Sequence, residues 1–209
     1  NVKVLKLVKR YCPSLGYDAS PSKSFGICTE ADEAEVAAIM EAEGVGVKYT
    51  RGHRYVGGFV GSESMEKEWI RAKVDGWVAA VKALAKVAWR FPQTAYTGLV
   101  WSLQSEWSYL SRVSPLAGPL LSTVEQSIRS DFLPALFGRR NMQVTDADRD
   151  LWANGVKAGG LGIRIPGREA EAMHETSKAS TTAIVRALVE GEELSLARHK
   201  EVARLSAAS

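Results

Sequence analysis

Residues 50–62, TRGHRYVGGFVGS, set the basic cluster Arg51, His53 and Arg54 beside four glycines and the alternating Tyr55, Val56, Phe59 and Val60 of a strand. Cations at a turn can meet phosphate oxygens, contacts that position a nucleic acid without reading its sequence. Gly57, Gly58 and Gly61 remove side chains along a strand, which weakens it unless something approaches closely. The chemistry on offer is phosphate binding, or the close approach of another backbone. A tight turn followed by a packed strand is the plain alternative.

A second basic set is Arg71, Lys82, Lys86 and Arg90. On a helix they share one face, because eleven residues are about three turns and four are slightly more than one. Lys67 lies near the same line and Asp75 interrupts it. Two readings stand: a row of cations along a phosphate backbone, each contact releasing counterions, or a solvated outer face. Lys23, in the loop PSKS just before a strand, is a third basic candidate and also fits a solvated loop.

Other chemistry is sparse. His53, His174 and His199 are far apart and have no ligand spacing, and Cys12 and Cys28 form no metal pattern. Two free thiols fit a reducing compartment, with one disulfide as the alternative. GGLGI at 159–163 is followed by no Lys-Ser/Thr and makes no GxGxxG element, so it reads as a backbone turn. There is no GxSxG, no HExxH, no paired-carboxylate motif and no nucleophile–base pair, so the residues supply no active site of their own. A net charge of +3 does not by itself argue for a nucleic-acid binder, so the distribution of charge decides. No run of 18 apolar residues is present, which excludes a membrane partner of the helix-spanning kind. The chain lacks an initiator Met and reads as a processed or excised piece.

The elements that must position these residues follow from periodicity. Val2, Leu5 and Val8 predict a helical start. Pro13, Gly16 and Pro21 then mark a loop before the short strand FGICT. Residues 30–44 predict a helix carrying Val36, Ile39 and Met40, ended by Gly44. VGVKYT and HRYVGGFVG predict an antiparallel pair turning at Arg51-Gly52. From residue 62 the texture changes. Ile70, Val74, Trp77, Val78, Val81, Leu84 and Ala88 form the apolar stripe of a long amphipathic helix capped by Ser64. A second helix starts at Pro92 and stops before Pro115. A third carries Leu120, Leu121, Val124, Ile128, Phe132 and Leu136. Thr145 caps a short helix, and the tail beyond 168 is helical. Several of the six tryptophans lie on these inward stripes. The expectation is an α+β, mostly α chain in three regions: 1–61 with a hairpin, 62–138 as a helical bundle, and 139–209 as a further helical region.

The order of these motifs resembles reverse transcriptases of non-LTR-like retrotransposons. GYDASPSKS, a strand, a helix, GVGVKYTRGHRYVGGFVGS, the bundle with PQTAYTGLVWSLQSEWSYLSRVSPLAG and VEQSIRSDFLPALFG, and then RDLWANGVKAGGLGI follow one another over nearly residues 1–165. The resemblance implies that 1–61 is the edge of the palm, with YVGGFVGS as the primer grip, that 62–138 is the thumb, and that 139–209 follows it. It implies that Gly57, Gly58 and Gly61 keep a surface clear for the primer end while Arg51, His53 and Arg54 face phosphates. Lys23 would lie near the incoming nucleotide, and Arg71, Lys82, Lys86 and Arg90 would follow an RNA/DNA primer–template duplex. The family's Tyr-x-Asp-Asp strand turn is missing, so no catalytic or metal-binding residue is assigned. Mg²⁺ is expected only with an upstream part of the same polymerase, itself an implied partner. ANGVK stands where the family has a Leu-Pro segment. An intracellular protein, nuclear or cytoplasmic, is implied. A helical interaction scaffold without nucleic-acid duty is the rival expectation.

Overall fold

The computed structural model describes residues 2–18, 20, 23–42, 44, 47–191 and 193–208; Pro21 and Ser22 of PSKS, and Val45 and Gly46 of GVGVKYT, lie outside them. The chain is α+β and mostly α, with 66% of it helical and 7% in strands. It forms two compact units, Asn1–Trp69 and Ile70–Ser209.

The first unit contains α1 (Val2–Tyr11), β1 (Phe25–Ile27), α2 (Glu33–Ala42), β2 (Lys48–Thr50), β3 (Gly52–Tyr55) and β4 (Gly58–Gly61). β1 and β2 pair in parallel, with Gly26 opposite Tyr49, and α2 is the crossover that parallel strands require. This corrects the expected antiparallel pairing of β2 with the next strand. Thr50 Oγ1 donates to the Gly52 carbonyl at 2.9 Å, so Arg51 makes a bend that carries the chain from one two-stranded sheet into the other. The hairpin is instead β3–β4, with His53 opposite Val60 and Arg54 opposite Phe59. Its two-residue turn is Val56-Gly57, with φ of 47° and 80°. Positive φ at both turn residues is the type I′ geometry that matches strand twist.

Gly61 has φ 142°, and a Cβ there would lie 2.2 Å from the Gly52 Cα and 2.3 Å from the Arg51 carbonyl oxygen. The backbone that approaches this glycine is therefore the neighbouring strand of the same hairpin. Gly61→Ala is expected to open the β3–β4 ladder, at a cost of more than about 1 kcal/mol. Hydrogen exchange checks it: the β3 and β4 amides should lose protection, and unchanged protection would contradict the packing.

The boundary between the units falls within α3 (Glu63–Ala88). Its inward stripe is buried as the periodicity requires, at Ile70, Val74, Trp77, Val81, Ala85 and Ala88, while Val78 and Leu84 are half-buried. The helix begins ahead of Ser64, which corrects the expected cap: Ser64 lies in the first turn, and the Glu66 N–H donates to the Ser62 carbonyl at 3.0 Å. The second expected helix is α4 (Pro92–Thr97), a π-helical stretch Gly98–Leu103, and α5 (Gln104–Val113). The third is α6 (Ala117–Leu120), α7 (Ser122–Ser127), a π-helical stretch Ile128–Phe132, and α8 (Leu133–Leu136). Pro134 has no N–H and its ring would press on the preceding turn, and the helix widens just before it, with the Leu133 N–H donating to the Ile128 carbonyl.

Trp77 and Trp107 meet edge to face at 6.1 Å, and the Trp77 indole donates to Glu106 Oε2 at 2.8 Å, which ties α3 to α5. α9 (Asp146–Ala153) opens on a capping box in which Thr145 and Asp148 each bond the other's backbone N–H. α10 (Ala170–Glu190) packs on α5, and α11 (Leu196–Ala208) packs on α10.

The turn GGLGI is held from three sides. Tyr96 Oη donates to the Leu161 carbonyl at 2.6 Å. Buried Gln104 donates to the Gly162 carbonyl at 3.1 Å and accepts from the Arg164 N–H at 2.9 Å. Arg149, with no exposed surface, grips Glu125 with Nε (2.8 Å) and Nη2 (2.9 Å). The same guanidinium donates to the carbonyls of Ile163 (2.5 Å) and Arg164 (2.7 Å). A buried charge is tolerated when it is paired and its donors are used, and here the planar fork of the guanidinium is filled almost completely.

Candidate nucleic-acid interface

In the first unit, most hairpin candidates have partners within the chain. Arg51 Nη2 is 2.6 Å from Glu30 Oε2, so its charge is shared at an exposed pair. His53 is half-buried and stacks on Phe25, with ring centroids 3.8 Å apart. Gly57 is explained by the I′ turn and Gly61 by its own strand partner; Gly58 pairs with Tyr55 at the ladder's end. Arg54 and Lys23 are exposed, and neither side chain has a partner among the described residues. The structure brings Arg51, His53, Arg54, Gly57, Gly58 and Gly61 onto one hairpin and its entry bend, and Lys23 precedes β1 in the same unit.

In the second unit, Arg71, Lys82 and Lys86 lie exposed on α3. None of the three has an ion pair with a described residue. α3 ends at Ala88, so Arg90 sits in the turn beyond the helix and not on its face; its guanidinium lies 5.3 Å from the Phe91 ring. Lys67, near the same line but in the first unit, is paired with Glu63 at 2.5 Å. That bond, with the lysine's charge, holds the Glu63 carboxyl below the usual carboxylate range.

Charge along α3 is uneven. Glu68 and Asp75 are exposed on the amino-terminal half, beside Arg71. From 76 to 105 the chain carries no Asp or Glu, and from 133 to 145 again none. Lys82, Lys86 and Arg90 therefore stand without local opposition. They run into two exposed aromatic residues that the sequence reading did not single out. Trp89 and Phe91 are exposed by 45% and 52%, enough to offer a ring face to a base. Arg140 lies over the Trp89 ring at 5.6 Å, and exposed Arg139 adjoins it. Phe137 and Trp152 meet in a tilted pair with ring centroids 4.7 Å apart. The usable signal was the acid-free run ending in Trp-Arg-Phe; the place of Arg140 beside Trp89 depends on the fold.

Paired carboxylates for a metal are not assembled here. Asp146 binds Arg129 at 2.7 Å, Asp148 is held by Thr145, and Asp150 binds Arg168 at 2.7 Å. The Thr145 hydroxyl and backbone N–H keep the Asp148 carboxyl below the usual range. Among the described residues no three His, Cys, Asp or Glu side chains come together to hold a metal ion. Cys12 and Cys28 are both free thiols. No helix among the described residues is long and apolar enough to cross a membrane.

Compared with protein-family models, with curated proteins and with solved structures, the chain matches none.

Proposed function

We propose that this chain is the nucleic-acid-holding part of a retroelement reverse transcriptase. It takes an RNA/DNA primer–template duplex along the carboxyl-terminal half of α3, inside the cell. Polymerisation is assigned to an upstream palm, because the family's Tyr-x-Asp-Asp turn is missing from this sequence. The observation that carries the reading is the acid-free run with Lys82 and Lys86 on α3 and Arg90 just beyond it, together with Arg140 over Trp89. Cations that follow a backbone and an aromatic ring that accepts an unpaired base are the two components of sequence-independent strand binding. Further support comes from the order of elements, a hairpin at 52–61, then a long helix, then a helical bundle. Arg54 offers a further unpaired cation on the hairpin.

Trp89→Ala tests the stacking component. A labelled oligonucleotide duplex with a single-stranded end should bind more weakly by about 1–3 kcal/mol for the lost stacked base, while a blunt duplex should be little affected. Equal binding of both substrates by the variant and the parent would remove Trp89 from the interface.

A helical interaction scaffold is the second reading. It is favoured by the internal use of Arg51, His53 and Gly61, and by the exposed Val185, Leu188 and Val189 near the end of α10.

A further inference from the structure

We propose that the groove between α5 and the GGLGIRI segment is a phosphate-binding site, distinct from the α3 face. It stands on its own geometry and does not depend on the reverse-transcriptase reading. Gln104, Ser108 and Arg112 recur every four residues on one face of α5, with Ser105 and Tyr109 beside them. Gln104 fixes the opposite wall, because its amide bonds the Gly162 carbonyl and the Arg164 N–H and so seats Arg164 against α5. These residues line a groove of about 240 Å³. A single water needs about 10–15 Å³ of such space, so a phosphate group fits with room for its ester substituent.

Charge and free donors decide the ligand class. Two guanidiniums line the groove and no carboxylate does. Glu106, on the same helix, is engaged by the Trp77 indole, and Glu169 lines an adjoining smaller cavity and not this one. The side chains of Arg112 and Arg164 have no partner among the described residues, and neither has the Ser108 hydroxyl. Two unpaired arginines and a hydroxyl donor without a competing acid are suited to an oxyanion. Guanidinium forks bind phosphate through paired N–H bonds. The phosphate can belong to a nucleic-acid backbone or to a free phosphate compound.

The test uses the full chain and inorganic phosphate as the first probe. Limited phenylglyoxal modification is read residue by residue by mass spectrometry, in phosphate and in chloride of equal ionic strength. Modification of Arg112 and Arg164 is expected to slow several-fold in phosphate, while exposed Arg186 and Arg204 react equally in both. Equal rates at all four arginines would overturn the proposal, and this arm needs no variant to fold. In the second arm a labelled single strand is titrated against Arg112→Ala/Arg164→Ala. A salt slope reduced by about 1.4, from two contacts at ~0.7 each, assigns the groove to a backbone phosphate. An unchanged slope with protection by inorganic phosphate assigns it to a free phosphate compound. The nucleic-acid reading of α3 stands or falls separately, because neither arm alters Lys82, Lys86 or Trp89.

Discussion

The Glu125→Ala protein is expected to lose about 3–5 kcal/mol of unfolding free energy, because the change strands a fully buried guanidinium. Arg149 meets Glu125 through two nitrogens, and Arg129 Nε reaches the same carboxylate at 2.7 Å. Removing the carboxylate leaves Arg149 with only the Ile163 and Arg164 carbonyls as acceptors and no counter-charge. At 2–4 °C per kcal/mol for a chain of this size, the melting midpoint should fall by roughly 6–20 °C. Glu125→Leu combined with Arg149→Met should recover part of the loss, since an apolar pair of similar volume avoids the stranded charge. Recovery stays partial because those two carbonyls then lose their donor. Thermal melts of the three proteins check this. A midpoint for Glu125→Ala within a degree or two of the parent would mean that the buried pair does not hold the segment.

The second large effect concerns binding. Lys82→Glu with Lys86→Glu is expected to weaken an RNA/DNA hybrid by well over roughly tenfold at low salt, and to lower the salt slope by about 1.8, from two phosphate contacts at ~0.9 each. Both lysines are exposed and free of ion pairs with described residues, so the folded state should hardly notice the change. The loss should be equal across sequences, since phosphate contacts carry no sequence information. Lys157→Glu with Lys178→Glu, at two exposed lysines away from α3, makes the same change in overall charge and serves as the control. A double variant that binds like the parent would make the α3 face an ordinary solvated surface.

How far the sequence reached depends on how local each cause is. The α3 stripe was legible because burial repeats with the helical period, and Ile70 to Ala88 needed no distant partner to be seen. The hairpin's register was not. Type I′ turns usually announce themselves as Asn-Gly or Asp-Gly, whereas here a β-branched Val56 takes positive φ, a rare conformation for that side chain. The parallel pairing of β1 with β2 was hidden for another reason: neighbouring strands in sequence usually pair, and a bend at Arg51 separates these two. Arg149 reads as one more solvated charge in DADRD, and only the return of Glu125 from α7 makes it the centre of a buried network. The π-helical stretches are equally silent in an apolar pattern that suits an α-helix.

The candidate site divides in the same way. Lys82 and Lys86 follow from spacing, and the absence of acids around them can be read directly from the chain. The hairpin glycines carried a question the sequence could only pose, and their close contacts lie within the hairpin itself. Arg140 over Trp89, Arg51 with Glu30, and Arg164 beside Gln104 join residues far apart in sequence, and none leaves a local signature.

The central claim is that this chain holds nucleic acid by its phosphates, and fluorescence anisotropy of a labelled RNA/DNA hybrid at low and moderate salt tests it most directly. The account predicts binding whose affinity falls steeply as salt rises, with a logarithmic slope of at least about 1.8 from Lys82 and Lys86 alone. No binding at low salt, or binding indifferent to salt, would contradict it and leave a helical scaffold in its place.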